Sequence, residues 1–243
     1  MGFTFNGVTS DSMGLKVKNY KKSILPPISI VSYDLPNKAG KYFMKNKLDQ
    51  RSIEIEVYFS GASESDYETK VRNLASWLYT TSPKQLILSE EPDKYYMAIL
   101  SEETELEQIY IHGIATLRFE CLTPFAYSTT QDTVNWTTGT SSITINNGGT
   151  AETYPTISFT AWDTSALFTN TTVGKKIELQ GLTTGQTVVI NCDTGVVTVN
   201  GTANNSYLTL DSEFFPLNVG NNTITLTSTT HNTVTFTFNK RYL

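Results

Sequence analysis

The sequence contains only two cysteines and two histidines among its 243 residues. Cys121 and Cys192 are too few for a disulfide framework, and each lies in an apolar, strand-like run, so we interpret both as small core residues. His112 and His231 have no second ligand at the spacing that zinc sites use. These shortages argue against a disulfide scaffold and a histidine metal centre, and we expect no cofactor.

Long apolar runs are also absent, since no stretch approaches the roughly 20 apolar residues that cross a bilayer. The first seven residues alternate instead of forming a basic region followed by an apolar block, so they do not resemble a signal peptide. We therefore expect synthesis in a cytoplasm without processing, and no insertion into a membrane. The formal net charge of -5 gives no general attraction to nucleic acid.

Catalytic motifs are missing as well, because there is neither a glycine-rich phosphate loop nor a nucleophile elbow. The tripeptide Asp193-Thr194-Gly195 occurs in aspartic proteases, but that chemistry needs two carboxylates, and its apolar flanks are typical of a hairpin turn. The acidic clusters at residues 90–93 and 102–107 do not follow a calcium-loop pattern and are typical of a solvated surface. We predict that the protein is not an enzyme.

The composition changes near Tyr127. Residues 1–127 hold 14 of the 18 Lys and Arg and 16 of the 23 Asp and Glu, whereas the remainder is rich in Thr, Asn and Gly. Such a change at the proline-containing segment 123–127 indicates a domain boundary. We predict one domain over residues 1–127 and a second over residues 128–243.

The first domain combines strands with one helix. Residues 51–59 alternate strictly between apolar and polar side chains, which is typical of a half-buried strand. A capping box formed by Ser65 and Glu68 predicts the start of a helix that ends before Pro83. Further strands are predicted around residues 85–89, 95–101 and 109–121. The pattern favours one helix packed on a mainly antiparallel sheet.

A basic segment precedes the strand at residue 51. Residues 16–51 carry a net charge of +7 and residues 52–107 a net charge of -8, counted from the sequence. One explanation of this charge pattern is chance together with solubility. The alternative is that the basic segment is an extended arm that lies on the acidic surface of a neighbouring copy. Repetition of such a contact closes a ring when its rotation divides the circle. The proposed interface residues of the arm are Lys38, Lys41, Lys45, Lys47 and Arg51.

The second domain is predicted to be entirely β. At least seven short alternating runs are separated by turn signals such as Asn200-Gly201, and this spacing predicts a β-sandwich. Three aromatic residues of this half could either belong to the sandwich core or stack on a bound sugar. They are Trp136, Trp162 and Tyr207.

Several motifs in this order resemble the distal tail (Dit) proteins of long-tailed siphovirus bacteriophages. The resemblance covers nearly the whole chain and is most specific at residues 119–127. In the first half it depends on residues 3–7, 12–15, 51–59, 74–78, 95–98 and 119–127. In the second half it depends on residues 147–149, Pro155, residues 191–193 and residues 218–223.

The resemblance implies a ring-forming belt domain, expected to be hexameric, followed by a galectin-like β-sandwich on its periphery. It implies a structural protein of the virion tail tip, made in the host cytoplasm, that connects the tail tube to the hub or fibre protein. Anchoring of receptor-binding proteins is implied as well, and contact with nucleic acid is not sequence-specific. The alternative function is a module that binds host cell-wall saccharides through the C-terminal sandwich.

Overall fold

The computed structural model describes residues 1–37, 39–101 and 106–243. Two compact units divide the chain, the first comprising residues 1–126 with Leu243 and the second residues 127–242. The elements of the first unit are β1 (Phe3–Phe5), β2 (Val8–Thr9), β3 (Lys16–Lys22), β4 (Ile28–Asp34), β5 (Lys41–Leu48), β6 (Arg51–Ser60), α1 (Glu64–Leu78), β7 (Lys84–Leu88), β8 (Lys94–Leu100), β9 (Leu106–Ile109) and β10 (His112–Cys121).

An antiparallel sheet forms the centre of the first unit, with the strand order β2-β1-β7-β8-β10-β6-β3. Strand β10 pairs with β6 along its whole length, and β8 and β9 pair with opposite ends of its other edge. The alternation of β6 buries its apolar side chains on one face, as the sequence predicts. Gly113 of β10 lies opposite Phe59, and a Cβ at this glycine would come within 2.8 Å of the Phe59 ring.

Helix α1 packs on the buried face of this sheet. Trp77 stacks on Phe3 with ring centroids 5.7 Å apart, and its indole N–H donates to the Phe5 carbonyl over 3.1 Å. At the other end of the helix, Tyr67 stacks on Phe59 at 5.4 Å. These aromatic contacts fix the helix across the sheet. The predicted fold class, mainly β with one α-helix, is confirmed for the described residues.

The helix begins earlier than the sequence predicts. Ser63 is the N-cap, and its hydroxyl accepts the Asp66 amide N–H, while the Asp66 carboxylate accepts the Ala62 amide N–H. The capping box predicted from Ser65 and Glu68 is therefore wrong by two residues. The cause is that Asp66 accepts a hydrogen bond from the preceding backbone as the glutamate of a capping box does. The Ser63–Asp66 pair can therefore begin the helix two residues before the Ser65–Glu68 pair.

The basic segment is divided between two structures. Residues 16–22 form β3, which pairs with β6 at the edge of the central sheet. The following strands β4 and β5 form a separate two-stranded hairpin. The arm predicted over residues 16–51 is thus shorter in the structure, and we use the word arm below for residues 23–50 alone.

The second unit is built from short strands and one short 3-10 helix, Asn205–Tyr207. Its strands are β11 (Ala126–Ser128), β12 (Asp132–Trp136), β13 (Ser142–Asn147), β14 (Thr156–Thr160), β15 (Ser165–Asn170), β16 (Lys175–Gln180), β17 (Thr187–Asn191), β18 (Val196–Val199), β19 (Thr202–Ala203), β20 (Gly220–Leu226), β21 (Val234–Phe238) and β22 (Arg241–Tyr242).

Two antiparallel sheets of the second unit share one core. One sheet has the order β12-β21-β14-β17-β18-β19 and the other β13-β20-β15-β16. Phe168 of the smaller sheet contacts Phe159 and Phe236 of the larger one, with ring centroids 5.4 and 6.5 Å apart. Inward-facing apolar residues of both sheets are buried together, as in a β-sandwich.

Buried asparagines donate hydrogen bonds to backbone carbonyls in the loops of this sandwich. Asn147, Asn170 and Asn222 are fully buried. The Asn147 amide donates to the Leu217 carbonyl over 3.0 Å, and the Asn170 amide donates to the Pro216 carbonyl over 2.9 Å. Because an unpaired buried carbonyl is costly, these hydrogen bonds stabilise loop segments that lie outside the strands, such as the one joined to Thr153 only by an isolated bridge at Leu217.

Replacing Ser63 with alanine should lower the free energy of unfolding of the helix-containing unit by about 1 kcal/mol, because the Asp66 amide loses its acceptor. Urea denaturation of the full chain, followed by far-ultraviolet circular dichroism, measures the change. The matched control is Ser65→Ala, which should stay within about 0.5 kcal/mol. Equal losses for the two variants would contradict the assignment of Ser63 as the cap.

Candidate functional site

The arm is a β-hairpin that forms a sheet of its own. Its strands pair from Ile28 opposite Leu48 to Asp34 opposite Lys41, with a bulge at Met44. All residues of β4 and β5 except Ser32 and Leu48 are exposed. The hairpin therefore projects its side chains into solvent on both faces.

The two faces of the arm differ in chemistry. Directly paired residues lie on the same face of a hairpin and successive residues alternate, so the register assigns each side chain to a face. The apolar face carries Ile28, Ile30, Phe43 and Leu48, together with Ser32, Asn46 and, at the end near the hairpin turn, the Asp34–Lys41 pair. The basic face carries Val31, Tyr33, Tyr42, Lys45 and Lys47.

Exposure of the apolar face is unusually high. Ile30 is 68% and Phe43 is 65% exposed, and the bulge residue Met44 is 61% exposed. An isolated two-stranded hairpin is marginally stable in water, and contiguous exposed apolar side chains mark interaction surfaces. The arm is consequently the candidate interaction site of the first unit.

The lysines proposed for the interface have different surroundings. Lys45 and Lys47 are exposed and form no ion pair within the described part of the chain. Lys41 pairs with Asp34 over 3.6 Å, and both side chains are largely exposed, so the pair contributes little. Lys38 lies outside the described residues. Two lysines of the predicted set thus remain available to an external partner.

Arg51 differs from the expectation. It is only 2% exposed, and its guanidinium lies 5.9 Å from the centre of the Tyr96 ring. Arg51 is the first residue of β6 and shares the buried face of that strand with Ile53. Its assignment to an exposed arm interface is therefore wrong, because the strand alternation directs it inward.

Part of the acidic surface is neutralised within the chain. The lysines of β3 form ion pairs with carboxylates of the central sheet and the β7–β8 turn. These pairs are Lys18–Glu56 at 3.0 Å, Lys21–Glu54 at 3.6 Å and Lys22–Glu91 at 2.8 Å. Although burial opposes ionisation, Lys22 and the Tyr96 hydroxyl hold the pKa of Glu91 below its usual value. Three of the four lysines of β3 are thus paired within their own chain.

Some other acids of residues 52–107 form no ion pair with a described lysine or arginine. Glu64, Glu68, Glu90 and Glu107 are exposed and form no ion pair with another described residue. Three further acids of the sequence cluster, Glu102, Glu103 and Glu105, lie outside the described residues. Among the described residues, fewer acids of this range are therefore available to a neighbour than the sequence indicates, because Glu54, Glu56 and Glu91 are paired within the chain.

The three aromatics considered for sugar stacking do not form an open platform. Trp136 is 2% exposed, and its indole N–H donates to the Thr140 hydroxyl over 2.9 Å, so its assignment to a sugar-stacking surface is wrong. It lies on the inward face of β12. Trp162 and Tyr207 are half-buried and pack against the same core, with Trp162 5.1 Å from the Phe159 ring.

The remaining sequence motifs have structural explanations. Asp193-Thr194-Gly195 forms the turn between β17 and β18, where Gly195 has φ +69 and the Asp193 carboxylate accepts a 2.7 Å hydrogen bond from Arg241. His112 stacks on Tyr58. Among the described residues, His, Cys, Asp and Glu side chains form no group of three suited to a metal ion.

No helix of the described residues is long and apolar enough to cross a membrane.

Both halves of the chain match known tail families. Residues 12–121 match the family described as phage tail protein RIFT-related domain, and residues 148–242 match the family described as siphovirus-type tail component, C-terminal domain. The matches follow one another along the chain and leave only short segments uncovered. They define a tail component of siphovirus type.

A curated relative and a solved structure agree with these matches. The chain is 29% identical over 206 residues to the distal tail protein of Bacillus phage SPP1, which covers 82% of this chain and 79% of that protein. It shares its fold with the crystal structure of SPP1 Dit at a TM-score of 0.85 and 19% identity, covering 100% of this chain and 99% of that one. The chain belongs to the distal tail protein family of siphovirus phages, and it is a structural component of the phage tail.

Neither cysteine should react while the protein is folded. Burial raises the pKa of both the Cys121 and the Cys192 thiol to about 12, so each stays neutral at mildly alkaline pH. A thiol-specific disulfide reagent should label neither cysteine in the native protein and both after denaturation. Rapid labelling of either residue in the folded protein would restore a nucleophilic role to consideration.

Proposed function

We propose that copies of this distal tail protein assemble through the arm into a closed ring, expected to be a hexamer, at the tail tip of the virion. The observation that carries the proposal is the exposed hairpin, whose apolar and basic faces both lack a partner surface among the elements of its own unit. A second copy supplies that surface.

The contact is heterologous, because the arm of one copy meets a different surface of the next. Such contacts repeat around an axis and close when the rotation divides the circle. Lys45 and Lys47 are positioned to meet acidic side chains that form no ion pair with another described residue, such as Glu64 and Glu68. Attraction between these surfaces favours correct orientation during assembly.

In this proposal the ring connects the tail tube to the tail-tip hub or fibre protein and anchors receptor-binding proteins. The related SPP1 protein, described as a paradigm of the hub adsorption apparatus in phages that infect Gram-positive bacteria, supports this placement. The open centre of the ring lets DNA pass without sequence-specific contacts. A chain with net charge -5 offers the phosphates little attraction during passage.

The role is structural rather than enzymatic. The buried, neutral cysteines offer no nucleophile, and the Asp193 turn holds its carboxylate against Arg241. The second unit acts as a scaffold.

The purified protein should form a species of about six times the 27.0 kDa chain mass at micromolar concentration. Gel filtration with light scattering measures the mass, and negative-stain images should show an annulus. A strict monomer, both alone and when mixed with a tail-tube or hub partner, would contradict the proposed ring.

Reversing the two free lysines of the arm should weaken assembly. The double variant Lys45→Glu with Lys47→Glu is expected to raise the assembly dissociation constant about tenfold, most strongly at low salt. The matched control is Lys175→Glu with Lys176→Glu, which makes the same charge change in the second unit and should leave assembly intact. Equal effects of both double variants would show that overall charge, and not the arm, governs assembly.

A further inference from the structure

An apolar cavity of about 800 Å³ lies between α1 and the central sheet of the first unit. The helix lines it with Leu74, Ala75 and Leu78, and the sheet lines it with Val57, Leu100 and Leu117. This volume lies in the range of binding sites, about 300–1,000 Å³. Its floor at Val57 and Leu117 is buried, and its open part lies at Leu100, Leu106 and Tyr79. The space is therefore suited to accept apolar groups from outside.

The cavity opens beside the exposed face of the helix. Ala75 and Tyr79, which line it, are both exposed. Glu68 lies two helical turns before Ala75 on the same face, and Glu107 follows the lining residue Leu106 directly. Both glutamates are exposed and form no ion pair with another described residue. The same helix also carries Arg72. The rim therefore has charges of both signs, with two glutamates against one arginine.

The arm has the complementary chemistry. Its apolar face presents Ile30 and Phe43, which are exposed in their own copy and thus do not occupy the cavity of that copy. Its opposite face presents Lys45 and Lys47, whose flexible stems can reach the acidic rim while the apolar face is buried. Aromatic anchors that fill a pocket are the usual energetic centre of an interface.

We propose that the apolar face of the arm, led by Phe43, seats in the cavity between α1 and the sheet of the next copy in the ring. This inference rests on the proposed ring and specifies its contact. Each copy supplies one arm and receives one arm, so a closed ring leaves no arm uncovered and no cavity empty. Burial of the exposed apolar side chains and filling of the cavity both favour the contact.

Photocrosslinking from the arm tests the contact directly. The full chain carrying p-benzoyl-L-phenylalanine at position 43 is mixed from isotopically labelled and unlabelled copies, irradiated and digested. The expected crosslinks join different copies and lie in peptides that contain residues 71–78 of α1. Crosslinks within one copy, or to a surface away from the cavity in an intact ring, would overturn the inference.

A variant that fills the cavity gives an independent test. Ala75→Trp places a large side chain at the cavity mouth and should raise the assembly dissociation constant at least about tenfold, the loss expected for a displaced anchor. Ser76→Trp is the matched control, because Ser76 is exposed on the same helix and does not line the cavity. Circular dichroism of both variants checks that the monomer still folds.

The outcomes separate the inference from the proposed function. A ring that forms equally well with Ala75→Trp, and whose crosslinks lie elsewhere, overturns the cavity contact and leaves the ring standing. A monomer with no crosslinks between copies overturns both. Loss of assembly with Ala75→Trp alone, together with crosslinks to α1, supports both.

Discussion

The exposed apolar face of the arm is the constraint on which the proposed assembly depends. Residues 23–50 place large apolar side chains on a hairpin that its own unit leaves in water. A two-stranded hairpin gains little stability by itself, so covering its apolar face with a second surface would stabilise it. In the proposed ring the central sheet and α1 have two tasks, since they support the arm of one copy and form a surface for the arm of another.

The basic charge of the segment is divided in the same way. Lysines of β3 pair with carboxylates of their own unit, whereas Lys45 and Lys47 form no ion pair with another described residue. Exposed ion pairs each contribute little to stability, but their arrangement decides which surfaces attract each other. The first unit therefore keeps its own edge neutral and leaves its charge for the projecting hairpin.

Much of the fold was predictable because its strongest signals are local. The alternation of β6 and the run from α1 to β10 follow from side-chain periodicity alone. The arm was harder, since the apolar and polar positions of β4 imply a strand but nothing in the sequence says whether its apolar side is covered. The burial of Arg51 was missed because its charge was given more weight than its place in the alternation of β6.

The cavity could not be predicted at all. Leu74, Val57 and Leu117 are buried as their sequence pattern implies, and only the spacing between helix and sheet leaves an open space beside them. Trp136 could not be assigned from sequence either, because a tryptophan in a β-sandwich is compatible with both a core and a sugar site. Its burial and the hydrogen bond from its indole N–H to Thr140 decide between them. Tertiary spacing and burial, rather than residue type, decided both.

The edge strand β3 limits the pairing of this sheet with strands of other chains. An open sheet edge can pair with another strand without limit, and natural proteins block this with lysines and irregular pairing. β3 has lysines at four of its seven positions and a register irregularity between Val17 and Asn19. Strand-to-strand stacking into endless fibres through this edge is thereby disfavoured.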